Sequence, residues 1–513
     1  MEAKMEEQRQ IIEQLKQTLN ALTVSQSTTS NKTPADEPFY HINEHTYEDC
    51  AQEFIDFTYE NPTTYHVIEF FSKLLEGKGF KYLPEKKTWN DELEPGKPGR
   101  YYTIRNGTNM TAWVIGKKWK PESGVGVVAS HVDSLTAKLK PASLMEKVEG
   151  YKLFGVAPYG GTLNELWFDR DLGIAGRVLY KKKNSSKVES TLVNSAPHPI
   201  GRIPSLAPHF GQPSEGPFNK ETQAVPFFGW CCDIDDEGTI TDEEKKCPLV
   251  GKHSILLLRY IAELAGIKVS EILQLDLDLF DVQKGTFGGI KKDFIFSPRM
   301  DDRLCSFTAM IAMAYYGATV DLDELSSFNM VALFDNEEVG SLTRQGAEST
   351  LLKTSICRTA KRFTNMEGLE PPTLFANSIV LSADVNHLFN PNFKEVYLKK
   401  HSPKPNWGMT ISLDPNAHMA TDVVGLAFVE ELARKNKDTV QYFQIRNDSR
   451  SGGTVGPIVA AQLGARTIDV GISQLSMHSI RAATGTKDIA MAIKFFRGFF
   501  DNWREVYDNF GEL

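Results

Sequence analysis

Cysteine is scarce and scattered. The 513 residues hold six, at Cys50, Cys231, Cys232, Cys247, Cys305 and Cys357, with no C-x-x-C spacing. That distribution excludes a disulfide framework and a cysteine zinc clip. Long apolar runs are missing as well. No window approaches 18 uninterrupted apolar residues, which excludes a membrane-spanning helix. The opening MEAKMEEQRQ lacks the apolar core of a secretory signal, so synthesis and folding in the cytosol are expected. There is no basic excess either: 57 Lys and Arg stand against 66 Asp and Glu, a formal charge of −9. An acidic chain argues against a nucleic-acid partner. Several common catalytic signatures are absent, namely H-E-x-x-H, G-x-S-x-G, the P-loop and a complete G-x-G-x-x-G.

What remains is an ordinary globular composition, 41% hydrophobic, 24% charged and 10% aromatic. The length implies two domains, or one with a large insert. Met5, Ile12, Leu15, Leu19 and Leu22 form an apolar stripe among Glu, Gln, Lys and Arg, a short helical seam able to pair with another helix. The polar stretch Ser25–Asn43 follows without apolar period and reads as a flexible tether. From Tyr47 the pattern turns helical, interrupted at Pro62. Thereafter short buried-strand runs (Gly126–Ser130, Phe328–Phe334, Ser378–Ser382, Thr467–Val470) alternate with helical ones (Leu304–Tyr316, Val423–Lys435, Ile489–Tyr507). This is the signature of an α/β doubly wound fold. From about Lys140 to Gly289 the chain carries more Gly, Pro and turn chemistry, such as Pro158-Tyr159-Gly160-Gly161 and Lys181-Lys182-Lys183-Asn184. It reads as a β-rich insert with one helix at Ser254–Ala265. The expected domains are therefore 1–45 (helix and tether), 46–139 and 290–513 (catalytic), and 140–289 (inserted).

Histidines and carboxylates recur just past the strand runs: His131 and Asp133, Asp335 to Glu338, Asp384, and His478, with Asp301-Asp302 ahead of an apolar helix. Ligands in open α/β sheets bind beyond the carboxyl ends of the strands. Each piece alone has a bland reading. A lone His is usually structural, Glu337-Glu338 makes a charged turn, and Asp301-Asp302 or Asp384 caps a helix or turn. Their joint occurrence favours a metal centre. Zinc accepts His nitrogen and carboxylate oxygen, and two adjacent ions need one bridging carboxylate plus about two further ligands each. His131, Asp301, Glu338, Asp384 and His478 make up that set, which leaves Glu337 free as general base.

The segments SHVDS (130–134), SPRMDDR (297–303), DNEEVGS (335–341), SADVNH (382–387), GGTVGP (452–457) and SMHSIR (476–481) resemble, in order, the motifs of the aspartyl aminopeptidase family of metallo-aminopeptidases. The N-terminal extension and the body together resemble a fungal, vacuolar branch of that family made as a zymogen. The resemblance implies a zinc-exopeptidase-like catalytic domain with an inserted oligomerisation domain, and two Zn2+ per subunit. It assigns His131 and Asp384 to the first zinc, Glu338 and His478 to the second, Asp301 as the bridge, Glu337 as base and Asp133 as the residue orienting His131. It implies that His209, in Ile203-Pro204-Ser205-Leu206-Ala207-Pro208-His209, reaches a neighbouring subunit's substrate site. It also implies peptide substrates, a homododecamer, and an autophagy cargo receptor that binds the N-terminal helix and delivers the cytosolic zymogen to the vacuole.

Two departures stand out. Many family members read R-L-D-N where this chain has Arg299-Met300-Asp301-Asp302; the extra carboxylate is expected to cap the helix. Acid-preferring members carry a Lys where this chain has Ser412, so a neutral, leucine-type preference is expected. Two rival readings remain: a self-assembling cargo or scaffold particle with a vestigial site, and a metallo-carboxypeptidase or deacylase. The complete ligand set with Glu337 speaks against the first, and an N-terminally blocked substrate separates out the second.

Overall fold

The computed structural model describes residues 44–231, 238–365 and 370–513. The apolar stripe and tether expected before residue 44 lie outside them. Two helices come first, Glu44–Glu60 and Thr64–Gly77, separated where Pro62 removes a backbone donor. The buried guanidinium of Arg303 donates to the carbonyls of Asn61 and Pro62, which satisfies backbone acceptors in the break between the two helices.

Nine strands build the main sheet, in the order Lys81–Tyr82, Gly99–Arg105, Asn109–Ile115, Phe328–Phe334, Gly126–His131, Ile379–Ala383, Arg466–Gly471, Met409–Leu413 and Val440–Gln444. The four from Phe328–Phe334 to Arg466–Gly471 run parallel. They are buried at nearly every residue, as runs covered on both faces must be. Val127 and Ala129 join a core that includes Leu352, Ile356, Val459 and Leu463 from helices Leu351–Thr364 and Gly456–Leu463. Strand alternation turns Val128 and Ser130 to the opposite face. Helices Met300–Thr319 and Asp488–Asp508 pack together and against strand Gly126–His131. There the Trp503 indole donates to Asn329 Oδ1 at 2.7 Å. Helices on both faces make this the doubly wound α/β architecture that the alternating pattern predicts. Among the described residues, no helix is long and apolar enough to cross a membrane.

A second sheet of six antiparallel strands spans 136–281, in the order Glu189–Asn194, Leu172–Tyr180, Ile272–Asp281, Thr136–Leu144, Tyr151–Tyr159 and Phe227–Trp230. Helix Ile255–Ala265 shares its core. The sheet begins at Thr136, slightly before the turn-rich composition sets in. The alternating Thr136–Lys140 is already strand, and Thr136 pairs with Tyr159. Lys181–Asn184 lies in the connection of an antiparallel hairpin. A third, small sheet pairs Phe294–Pro298 with Thr286–Gly288 and Arg481–Gly485.

Candidate metal centre

Strand register explains why distant segments meet. Phe334 lies opposite His131, and Ser382 lies opposite both Ala129 and Asp469. The parallel strands therefore release His131, Asp335–Glu338 and Asp384 at one edge. Asp384 is seated closely there: its N–H donates to Val470 O at 3.1 Å, and a Cβ on Gly471 would collide with the Asp384 carbonyl. Asp301 and His478 arrive from the small sheet. Pro298 pairs with Arg481, so the residue three past one strand and the residue three before its antiparallel partner fall together. Positive φ at Arg299, Asn336 and His478 (56°, 63° and 62°) marks backbone that L-residues seldom adopt. Such conformations gather where surrounding structure over-determines them.

Two donor groups result, each with ligand atoms within 4.8 Å of one another: His131 with Asp302 and Asp384, and Asp301 with Glu338 and His478. Asp301 faces both. Its Oδ1 is 3.3 Å from His131 Nε2 and its Oδ2 is 3.4 Å from His478 Nε2. Asp384 Oδ1 lies 3.6 Å from His131 Nε2, and Glu338 Oε2 lies 3.8 Å from His478 Nε2. Glu337 Oε2 stands 3.9 Å from His131 Nε2 without entering either group. His131 is buried and the His478 side chain is 59% exposed, so the second group opens toward solvent.

Asp133 organises the turn beneath these groups. Its Oδ1 is 3.3 Å from His131 Nδ1 and accepts the Glu337 N–H at 3.1 Å. Its Oδ2 accepts the Glu338 N–H at 3.1 Å and the Tyr159 hydroxyl at 2.8 Å. Burial works against ionisation of Asp133, but the bond to His131 and these donors hold its pKa below the usual carboxylate value. Burial, reinforced by Asp133, raises the Tyr159 pKa, so that phenol stays a proton donor.

The donor set suits a divalent cation. Burial first, then repulsion from neighbouring carboxylates, pushes Glu337 up to about 8 and Glu338 up to about 10, and Asp384 also rises for these reasons. Burial opposes protonation of His131, yet the surrounding carboxylates, Asp384 foremost, keep its pKa well above the ordinary one. Crowded carboxylates of this kind require a proton or a cation. Glu338 Oε1 is buried without a hydrogen-bond partner among the described residues, a costly state unless something binds it.

Asp302, a member of the first donor group, is also hydrogen-bonded, whereas Ser412 and His209 lie outside both groups. Asp302 Oδ1 accepts the Cys305 N–H at 3.2 Å and Oδ2 accepts the Ser130 hydroxyl at 2.7 Å. Its carboxylate thus makes a capping bond while lying close to His131. Ser412 is buried, its Oγ accepting from Asn386 Nδ2 at 2.5 Å, two residues past Asp384. His209 is exposed in the short turn Pro208–Phe210 and belongs to neither donor group. Tyr159 and Asn336 were not singled out by the sequence. Pro-Tyr-Gly-Gly reads as turn chemistry, and only the pairing of Tyr159 with Thr136 points its hydroxyl at Asp133.

Histidine and carboxylate donors gathered beyond parallel strands, with a further Glu beside them, define the class: a metal-dependent hydrolase on an α/β sheet. Residues 57–500 match the Aminopeptidase I zinc metalloprotease (M18) family. The chain belongs to that family and is a metallo-aminopeptidase. It is 61% identical to vacuolar aminopeptidase 1 of Saccharomyces cerevisiae, over 99% of this chain and all of that one. It is 37% identical to the aspartyl aminopeptidase of Aspergillus oryzae, over 88% and 96%. Among solved structures, the S. cerevisiae mApe1 dodecamer superposes with a TM-score of 0.84 at 59% identity, covering 91% of this chain and 100% of that one.

Because Asp301 faces both groups, Asp301→Ala should strip bound metal from both. His478→Ala should weaken only the exposed group and leave the buried one loaded. Metal content per subunit after gel filtration distinguishes the two, and equal losses would contradict a shared carboxylate.

Proposed function

We propose that this aminopeptidase is a co-catalytic dizinc enzyme that removes neutral, leucine-type N-terminal residues from peptides. The observation that carries the reading is the two-sided Asp301, one oxygen toward each donor group. His131 and Asp384 would hold one ion, Glu338 and His478 the other, and Asp301 both. When bound, such a pair lowers the pKa of a shared water and polarises the scissile carbonyl. Asp133 orients the His131 ring and holds the Glu337-Glu338 turn by its two N–H groups. Glu337, beside the donor groups but outside them, takes a proton from the attacking water and passes it to the leaving amine. Replacing it by Gln should leave metal content and fold unchanged while turnover drops about 10²–10⁴-fold, the usual worth of a general base. Near-normal turnover would overturn the assignment.

The substrate preference follows from Ser412. An acidic side chain bound beside a neutral hydroxyl already engaged by Asn386 would bury an unpaired charge, at a cost of several kcal/mol. Leucyl amides should therefore show higher kcat/KM than aspartyl amides, and the opposite order would refute the argument.

Assembly and delivery complete the proposal. Residues 46–139 and 290–513 would form the catalytic domain, with 140–289 as an inserted oligomerisation domain. Leu144, Val148, Tyr151 and Trp230 are exposed apolar residues on that insert, Tyr151 paired with Trp230, and such a patch suits contact between copies. The dodecamer of the S. cerevisiae protein supports a homododecamer here, in which His209 would reach a neighbour's substrate site. A stripe of five apolar residues, Met5, Ile12, Leu15, Leu19 and Leu22, is too small to make an isolated helix stable. Repeated on an oligomer, it would bind copies of itself or an autophagy receptor through avidity, and so carry a cytosolic zymogen to the vacuole. Removing residues 1–45 should leave peptidase activity and the oligomer intact while abolishing clustering and vacuolar delivery in cells. Continued delivery of the truncated protein would make the segment a passive appendage.

A further inference from the structure

Tyr159 closes strand Tyr151–Tyr159 of the six-stranded sheet and is buried. Its backbone is fixed by Thr162, whose Oγ1 accepts the Tyr159 N–H at 3.1 Å and donates to Thr136 O at 2.8 Å. Its ring lies with Lys138 Nζ 5.4 Å from the centroid. That ammonium is held in turn by Asp278 at 2.8 Å and Asp276 at 3.2 Å, and Asp276 accepts the Tyr65 hydroxyl at 2.6 Å. Ring and backbone are thus held by a partly buried polar network belonging largely to the antiparallel sheet.

The hydroxyl leaves that sheet. It donates to Asp133 Oδ2 at 2.8 Å and accepts from Asn336 Nδ2 at 2.8 Å. Asp133 in turn accepts the Glu337 and Glu338 N–H groups through its carboxylate, and His131 Nδ1 lies 3.1 Å from the Asp133 carbonyl and 3.3 Å from Oδ1. One phenolic oxygen therefore stands between the second sheet and both the ring and the turn that carry the metal and proton chemistry. A carboxylate rotates about its last torsion unless its oxygens are pinned from several directions. Here the backbone donors reach it from one side and the phenol from the other sheet.

We propose that Tyr159 is a positioning residue for the peptidase. Its hydroxyl fixes the Asp133 carboxylate, and through it the His131 ring and the Glu337-Glu338 turn, tying the antiparallel sheet to the metal centre. The inference rests on the reading of His131 and Glu338 as ligands. Loss of such an outer partner typically lowers metal affinity or activity about 10–100-fold.

The test uses the full-length, zinc-loaded protein. Tyr159→Phe should raise the zinc dissociation constant measured by chelator competition, and lower kcat, each by about 10-fold or more, with KM little changed. Tyr180→Phe removes a tyrosine–carboxylate bond of the same sheet, to Glu189 at 2.9 Å, and should alter neither quantity. A merely structural hydroxyl would lower thermal stability in both variants alike and leave zinc affinity untouched. As a measurement that keeps the hydroxyl in place, 3-fluorotyrosine at position 159 should shift its fluorine resonance when zinc is added to stripped protein, whereas the same label at position 180 should not. Wild-type zinc affinity and kcat in Tyr159→Phe, equal damage in Tyr180→Phe, or a label at position 159 silent to zinc would each overturn the proposal. His131→Ala tells the two readings apart. Should it retain all its zinc, the metal-centre reading itself fails; should it lose zinc while Tyr159→Phe binds normally, only the role of Tyr159 fails.

Discussion

Crowded negative charge at one sheet edge governs this molecule. Asp133, Asp301, Asp302, Glu337, Glu338 and Asp384 converge on a region where, among the described residues, His131 and His478 are the imidazoles within the donor groups. In a low-dielectric interior such a gathering is tolerable only when each charge is answered by a proton, a cation or several N–H donors. The chain answers these charges differently in different places. Asp133 is kept ionised by hydrogen-bond donors, Asp302 is bonded to Ser130 and Cys305, and burial pushes Glu337 and Glu338 toward the protonated form. The division matters because it separates carboxylates answered by hydrogen-bond donors from those that still need a proton or a cation.

The scaffold makes that crowding possible. Parallel strands end together, so residues more than two hundred positions apart share an edge. The antiparallel pairing of Pro298 with Arg481 brings Asp301 and His478 to the same place from another sheet. A site assembled from the ends of regular strands inherits their rigidity, as ligand geometry requires. Backbone in unusual conformations at Arg299, Asn336 and His478 is then carried by structure that is stable elsewhere.

Much of this was legible in the sequence, for identifiable reasons. Four-to-seven-residue apolar runs followed closely by His or acidic residues gave away both the parallel strands and the residues beyond them, because burial on both faces leaves no alternation to confuse the pattern. The helix read at Leu304–Tyr316 was visible in the same way, and the structure extends it to Met300–Thr319, taking Asp301 and Asp302 into its first turn. What could not be read was anything depending on cross-sheet pairing. Tyr159 sits in a segment whose Pro and Gly announce only a turn, and Asn336 looks like one more polar residue in a loop. Asp302 carried a readable capping signal, but its nearness to His131 depends on where strand Gly126–His131 lies in three dimensions. His209 is the converse case: its motif suggested a role, while within one chain it is simply an exposed histidine.

The adjacent pair Glu337-Glu338 shows how a short turn divides labour that sequence position alone would leave ambiguous. Both residues lie in the 3-10 turn Glu337–Val339, following Asn336 in the left-handed region. Their amides are parallel enough to serve the two oxygens of one Asp133 carboxylate, so the backbone treats them as equivalents. Their side chains diverge instead. Glu337 reaches toward His131, and Glu338 toward His478 with one oxygen buried and unpartnered. A tight turn rotates successive side chains by roughly 120°, which suffices to send neighbours to opposite sides of Asp301. Equal anchoring with unequal outlook is what lets Glu338 join a donor group while Glu337 stays outside both.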